Sequence, residues 1–279
     1  MHHLRFGIAF GSTDVGTVRS SNEDNFLIDE ALGLVMLGDG MGGHYGGEIA
    51  SAQALGAVRD AIRTAHHAAA EDDDKTIGPA LHPRIRAAIE ACDPETTWSD
   101  LNAPSVLMAF DAIEQANQHL FQHNVAQDLA EGEGMGTTLT GFWQPSADAP
   151  IVVFHVGDSR LYRYRTGVLT IMTRDQTQYQ AAIDSGLRTN LPPRNFLLQA
   201  VGPTPTLKPD VRTHDTTPGD LYMLCSDGLH GPVSDQRIEA IMATVGTDQL
   251  EQACQTLIAL AKQNGGRDNI TVVMVRFQG

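Results

Sequence analysis

Aspartates stand at the ends of several predicted strands in this sequence. Asp39, Asp158 and Asp227 each follow an apolar run, whereas Asp24 and Asp268 each precede one. Acids at strand ends can converge on one rim of a sheet, where carboxylates repel each other unless cations lie between them. Mg²⁺ and Mn²⁺ prefer such oxygen ligands. The pattern therefore predicts a divalent-cation site at one rim of a β-sheet.

Each of these acids also has an ordinary structural interpretation. The Asp-Gly pairs that begin at Asp39 and Asp227 are common turn formers, and Asp158 alone is typical of a loop. Glu23 and Asp24 alone are typical of a solvated pair. Their joint occurrence, in order and at strand ends, favours a functional site.

The elements that must position these acids are short strands and four longer helices. Runs rich in β-branched and aromatic residues predict strands at 25–29, 33–37, 138–143, 151–156, 161–165, 168–172, 196–201, 208–214, 220–225 and 269–277. Apolar residues at helical spacing predict helices at 47–65, 105–128, 234–243 and 247–264. Strands come in runs and helices in pairs, which indicates an α+β fold and not an alternating βαβ sheet.

The two longer helices of the first half have clear apolar faces. The face predicted for helix 47–65 comprises Ile49, Leu55, Val58 and Ile62. Asn117 falls on the apolar face of the second helix. A buried amide must be hydrogen-bonded, so we expect Asn117 to tether neighbouring backbone.

Composition excludes several classes of protein. The chain has 279 residues and a formal net charge of −15, which argues against nucleic-acid binding. No apolar run approaches the length of a membrane span, so no membrane association is expected. Cys92, Cys225 and Cys254 form no CxxC pair, which is typical of a reducing compartment, and we expect a cytoplasmic protein. Cys225 and Cys254 lie in apolar stretches and are predicted to be buried.

Six motifs, taken in order, resemble the PP2C (PPM) protein phosphatases, particularly their bacterial members. The resemblance runs from Gly11 to Phe277 and is carried by Arg19-x-x-Asn22-Glu23-Asp24, Asp39-Gly-Met-Gly-Gly-His44, Gly136-Thr-Thr138, Gly157-Asp-Ser-Arg160, Ser226-Asp-Gly-Leu229 and Asp268-Asn269. It implies two antiparallel β-sheets packed as a sandwich, with paired α-helices on both outer faces. No composition break marks a second domain, so we expect a single domain over 1–279, with a surface insert at about 70–104 and a short flap at about 180–196.

The same resemblance implies which residues hold Mn²⁺ or Mg²⁺. Asp39 would bridge two cations, and the backbone carbonyl of Gly40 would bind one of them. Asp227 and Asp268 would hold the other. Asp158, together with Asp227, would form a third and weaker cation site.

The resemblance further implies hydrolysis of phosphoserine and phosphothreonine in proteins by a metal-bridging hydroxide. Glu23 and Asp24 would act mainly through bound waters, and Arg19 would bind the substrate phosphate. A surface salt bridge is the alternative for Arg19. The expected partners are phosphorylated proteins, including a Ser/Thr kinase and its targets, and the expected state is a monomer.

Three features depart from the family pattern. Met41 stands where eukaryotic members commonly carry a histidine, so the general acid is either a metal-bound water or His44. The insert is longer than is usual in bacterial members. The segment at 186–193 is short, and because the flap lies beside the active site in the family, it bears on substrate choice.

Three other functions compete with a protein phosphatase. A non-catalytic phosphatase-like module would be indicated by loss of a bridging or terminal carboxylate, and none is missing here. A phosphatase of small molecules, or another metal-dependent hydrolase, would differ in its turnover of phosphopeptides and nucleotides. A structural cation-binding protein would have no use for a phosphate-binding Arg19.

Overall fold

Twelve strands form two antiparallel sheets in the part of the chain that the computed structural model describes, which is residues 1–42, 46–71, 103–246 and 248–278. The strands are β1 His2–Leu4, β2 Gly7–Asp14, β3 Asp24–Asp29, β4 Leu34–Met41, β5 Gly136–Thr137, β6 Leu139–Trp143, β7 Ile151–Val156, β8 Arg160–Arg165, β9 Val168–Ile171, β10 Asp210–His214, β11 Leu221–Cys225 and β12 Ile270–Phe277. The first sheet has the order β1-β2-β12-β11-β8-β9. The second has the order β10-β7-β6-β4-β3, with β5 paired to β4.

Helices cover the outer face of each sheet. Within the described residues they are α1 Gly47–Glu71, α2 Ala103–Ala126, α3 Gln178–Asp184, α4 Asp227–His230, α5 Asp235–Met242 and α6 Leu250–Gln263. The pair α1 and α2 packs on the second sheet, and α6 packs on β2 and β12 of the first sheet, with α4 and α5 beside it. The predicted α+β sandwich with helices on both outer faces is confirmed.

A helix that crosses a membrane must be both long and apolar. Over residues 1–42, 46–71, 103–246 and 248–278, no helix is both long and apolar enough to cross a membrane.

Strand β4 shows why several strands are apolar without alternation. Val35 and Leu37 point between the two sheets, whereas Leu34 and Met36 point toward α1 and α2, and all four are fully buried. A strand with both faces covered must be apolar on both. Across the sandwich, the rings of Phe142 on β6 and Tyr222 on β11 lie 5.6 Å apart, so side chains of the two sheets pack directly together.

Some predicted elements were wrong or incomplete. Residues 196–201 form no strand, because Leu197 bridges to Thr177 while Val201 bridges to Thr137, and two different partners cannot make one ladder. Strands β1 and β2 were not predicted. The glycines of β2 weaken its strand pattern, yet Gly11 is required there, because a Cβ at this position would lie 2.4 Å from the Phe26 ring.

Other differences concern the helices. Helix α1 continues to Glu71, beyond the predicted end at residue 65. Ile49 is 43% exposed and does not belong to the buried face, whereas Leu55, Val58 and Ile62 do. Cys225 and Cys254 are buried as predicted. Cys92 and most of the predicted insert at 70–104 lie outside the described residues.

Asn117 performs the tethering role that its position predicted. Its amide Nδ2 donates to the carbonyl of Thr204 at 3.0 Å, and its Oδ1 accepts from the Gly202 N–H at 2.8 Å. The residue is 2% exposed. We expect Asn117→Ala to lower the free energy of unfolding by about 1–3 kcal/mol, because both backbone groups lose a buried partner. Urea unfolding measures this.

Gln118→Ala is the matched control, since the exposed amide of Gln118 also bonds a backbone carbonyl, that of Pro205. Water can replace that bond, so the loss of stability should be well below that of Asn117→Ala. Equal losses in the two variants would contradict the tethering role.

Candidate metal centre and active site

The predicted site residues meet in one cleft of about 600 Å³ at a rim of the sandwich. Seven of them line it, namely Arg19, Glu23, Asp39, Gly40, Asp158, Asp227 and Asp268. Asp24 is buried at 4% exposure and is not part of the lining. His44 lies outside the described residues. The same cleft is lined by Thr138, from the Gly136-Thr-Thr138 motif, and by Asn195 and Leu197.

Strand pairing positions Asp39 and Gly40. Asp24 and Asp39 are register partners at the end of the β3–β4 ladder. The Asp39 N–H donates to Thr138 Oγ1 at 2.9 Å, and the Asp39 carbonyl accepts from the Thr138 N–H at 2.9 Å. A Cβ on Gly40 would lie 2.1 Å from the Gly47 carbonyl oxygen, so the close approach of β4 to the start of α1 requires glycine.

Two hydroxyl groups hold the buried carboxylate of Asp24. Its Oδ2 accepts from Ser226 Oγ at 2.8 Å and from Thr271 Oγ1 at 2.7 Å. Its Oδ1 is buried and has no hydrogen-bond partner within the described residues. Ser226 was part of a predicted motif but had no assigned role, and Thr271 was not predicted, although a threonine inside the apolar run of β12 was a usable signal.

Asp158 follows β7 in a tight turn and is 7% exposed. Gly157 has φ +103°, and a Cβ there would lie 2.6 Å from Thr138 Cγ2. The backbone carbonyl of Asp158 lies 3.0 Å from His230 Nε2 on α4, the helix that begins with Asp227. His230, which the sequence analysis also missed, therefore ties the turn that carries Asp158 to the helix that carries Asp227.

Arg19 forms an ion pair with Asp268, with 2.9 Å between Nη2 and Oδ2. The two side chains are 53% and 39% exposed, so the pair lies at the open mouth of the cleft. This contact is the salt bridge that was the alternative role for Arg19. Exposed pairs contribute about 0–1 kcal/mol, so a phosphate could displace it at little cost.

Burial and mutual repulsion shape the protonation of the acids. Burial, followed by the charge of Asp227, raises the pKa of Asp158 to about 8. Burial also raises the pKa of Asp24 to about 7, with smaller opposing effects from its two hydroxyl bonds. The pKa of Asp39 lies well above its ordinary value, because of burial and then the charges of Asp24 and Asp227. Such shifts mean that the charged cluster is unfavourable without a compensating positive charge.

The donor chemistry of the cleft fits hard divalent cations. Carboxylate and carbonyl oxygens are the ligands that Mg²⁺ and Mn²⁺ prefer, and the unpartnered Oδ1 of Asp24 can bond a water behind them. Among the described residues, no three His, Cys, Asp or Glu side chains already surround a common point. The side chains instead contact Arg19, Ser226, Thr271 and each other. A carboxylate oxygen can accept from more than one partner, so these contacts do not prevent the same carboxylates from binding cations.

Comparison with known proteins assigns the family. A family model described as protein phosphatase 2C matches residues 17–264, and the chain belongs to this family. Its fold is the one found in solved bacterial phosphatases. The crystal structure of the Mycobacterium tuberculosis serine/threonine phosphatase PstP/Ppp aligns with a TM-score of 0.74 at 30% identity, over 98% of this chain and 99% of that one.

Two further similarities refine this assignment. The chain is 34% identical to Mycobacterium tuberculosis serine/threonine protein phosphatase PstP over 94% of its own length, but it spans only 43% of that relative. A structure of the catalytic domain of PstP in complex with two manganese ions aligns with a TM-score of 0.70 at 29% identity, over 98% of each chain.

The raised pKa values predict how stability depends on pH when cations are removed. Asp24 and Asp158 keep protons to about pH 7 and 8 in the folded chain, whereas unfolded aspartates lose them near pH 4. The folded state therefore binds more protons, and stability should fall as pH rises from about 7.5 to 8.5, by up to about 1.4 kcal/mol per pH unit for each proton retained. Urea unfolding in excess EDTA measures this.

This pH range avoids the titration of the buried histidines. Burial lowers the pKa values of His155, His214 and His230 in the folded chain, and unfolded histidines titrate near pH 6.5, so all three are largely neutral above about pH 7.5 in both states. Asp158→Asn should reduce the slope, because the amide does not titrate. Stability that stays constant or rises across the window would contradict the proposed repulsion.

Proposed function

We propose that this chain is a metal-dependent serine/threonine protein phosphatase, which hydrolyses phosphoserine and phosphothreonine esters in proteins. The observation that carries the proposal is the convergence of separate carboxylates and one arginine on a single cleft. Membership of the protein phosphatase 2C family and similarity to named bacterial serine/threonine phosphatases support it.

The residues proposed to hold two Mn²⁺ or Mg²⁺ ions are Asp39, the Gly40 carbonyl, Asp227 and Asp268. When bound, such cations lower the pKa of water to give a nucleophile at neutral pH and neutralise charge on the phosphate. Strand β4 presents Asp39 and Gly40 side by side, and α4 presents Asp227 from the opposite sheet. Residues from both sheets are therefore available to one centre.

The remaining acids are proposed to support this centre. Glu23 lines the cleft and Asp24 lies behind it, so both can orient bound waters. Asp158, held by His230 through its backbone, is proposed to form a third and weaker cation site with Asp227. Because α4 and the Asp158 turn are bonded together, the two carboxylates of that site are positioned jointly.

Arg19 is proposed to bind the substrate phosphate. Its side chain is half exposed at the mouth of the cleft and is fixed there by a single exposed ion pair. The planar guanidinium can donate two parallel N–H bonds to phosphate oxygens. In this position it also stabilises charge that develops on those oxygens as the ester bond breaks.

The leaving alkoxide needs a proton, and its proposed source is a water on a bound cation, with His44 as the alternative. Met41 lines the cleft but carries no transferable proton. His44, the histidine considered for this step, lies outside the described residues and stays a candidate in a supporting role. We further propose one domain over residues 1–279, a monomer in the cytoplasm, and substrates that include a Ser/Thr kinase and its targets.

Metal removal is the first test of this function. Excess EDTA should abolish turnover of a phosphothreonine peptide, and Mn²⁺ or Mg²⁺ should restore it. Asp39→Asn should lower kcat/KM by about 100-fold or more, since it removes charge from the centre of the donor set. Phosphate release measures both effects.

Asp60→Asn provides the matched control, because Asp60 is an exposed acid on α1 whose ion pairs are with Arg59 and Arg63. Its turnover should equal that of the unaltered chain. Full activity in excess EDTA would disprove a metal-dependent mechanism.

The role of Arg19 makes a separate prediction. Arg19→Ala should lower kcat/KM for phosphopeptides. The corresponding rise in activation free energy should be about 2–4 kcal/mol, the size typical of one lost charge-stabilising contact. Cation affinity, measured by calorimetric titration, should be largely kept. Unchanged kinetics would show that Arg19 serves only as the surface salt bridge to Asp268.

A further inference from the structure

The flap, residues 180–196, joins the cleft through a short two-stranded base. The Gln178 N–H donates to the Phe196 carbonyl and the Leu198 N–H donates to the Gln176 carbonyl, both at 2.8 Å. The side chains of Asn195 and Leu197 line the cleft. Arg194 and Asn195 form a turn just before this base, so the exposed Arg194 adjoins a cleft-lining residue in the chain.

Arg194 is held in place by an aromatic side chain. Its Cζ lies 4.3 Å from the ring centroid of Tyr179 on α3, and its Nη2 donates to Tyr179 Oη at 3.0 Å. Stacking and one hydrogen bond fix the plane of the guanidinium while leaving most of its five donors for other groups. The exposed guanidinium is therefore oriented by two contacts with one side chain.

The charge of Arg194 is not matched by a carboxylate in the described part of the chain. Its neighbours differ, because Arg174 pairs with Asp184 and Arg160 pairs with Asp175. Arg188, on the same flap, uses its Nη1 on the backbone carbonyls of Ile183 and Leu187. Arg194 thus combines a contact that orients its guanidinium with a place next to the cleft-lining Asn195 in the chain.

The positive charge of Arg194 lies beside a strongly negative cleft. The chain carries a net charge of −15, and the cleft itself is lined by carboxylates, so acidic residues beside a phosphorylated side chain would be repelled. An ordered guanidinium at the rim offsets that repulsion locally. It also offers a planar fork that matches a carboxylate.

We propose that Arg194, oriented by Tyr179, is a specificity-determining residue that binds an acidic side chain flanking the phosphorylated residue of the substrate protein. The inference rests on the proposed phosphatase function. It adds the preferred class of substrate, which is a phosphorylated protein segment with an Asp or Glu close in sequence to the phosphorylated residue.

The test uses phosphothreonine peptides that are identical except for Glu or Gln at each of the three positions on either side of the phosphoresidue. The unaltered chain should prefer the Glu peptide at one or more positions by about fivefold in kcat/KM, the upper range for a partly exposed ion pair. Arg194→Gln should bring this ratio close to one. Turnover of p-nitrophenyl phosphate, which has no flanking residues, should be unchanged.

Two further variants distinguish local contact from overall charge. Arg188→Gln makes the same charge change on the same flap and should keep the Glu preference. Tyr179→Ala should weaken the preference by freeing Arg194, while Tyr179→Phe, which keeps the ring, should retain most of it.

Several results would overturn the inference. These are a Glu-to-Gln ratio of one in the unaltered chain, a preference that survives Arg194→Gln, or an equal loss in Arg188→Gln. A loss of p-nitrophenyl phosphate turnover in Arg194→Gln, equal to its loss on both peptides, would assign Arg194 a purely structural role. An unaltered chain that hydrolyses no phosphoester would overturn the proposed function, and this inference with it.

Discussion

Mutual repulsion among carboxylates at one rim of the sandwich is the constraint on which the rest of the site depends. Asp39, Asp158 and Asp227 come from different strand ends, yet they line one cleft in which burial and neighbouring charge raise their pKa values. Such a cluster costs free energy in the folded chain unless positive charge balances it. Divalent cations would supply that charge, together with the chemistry of the proposed phosphoester hydrolysis.

The scaffold holds this unfavourable arrangement by fixing the backbone on both sides of it. Thr138 bonds the backbone of Asp39 from the second sheet, and Ser226 with Thr271 bonds the side chain of Asp24 from the first. His230 joins the Asp158 turn to the helix that follows β11. The strands behind these groups are apolar on both faces, so the rim cannot relax without disturbing the core.

The sequence predicted the parts of the molecule that local chemistry determines. Acids next to apolar runs predicted a cation site at one rim of a sheet, and the order of strands and helices predicted an α+β fold. The sandwich, and the place of Arg19 and Gly40 in the site, came from the resemblance to the PP2C family. The position of Asp24 behind the cleft depends on hydroxyl groups 202 and 247 residues away in sequence, which no local pattern reveals. Residues 196–201 are rich in apolar side chains, but tertiary contacts with two separate segments prevent a strand. The glycine-containing β2 was missed for the opposite reason, since its ladder with β12 along the whole of Gly7–Asp14 outweighs its weak strand propensity.

Anomalous X-ray diffraction from crystals grown with Mn²⁺ tests the central claim most directly, because it locates the cations independently of any activity. The account predicts two strong manganese peaks in the cleft, with Asp39 contacting both and Asp227 and Asp268 contacting one of them. It also predicts that Asp39→Asn weakens or removes both peaks. Manganese bound only outside the cleft, or two cleft peaks that do not contact Asp39, would contradict a carboxylate cluster built to hold divalent cations.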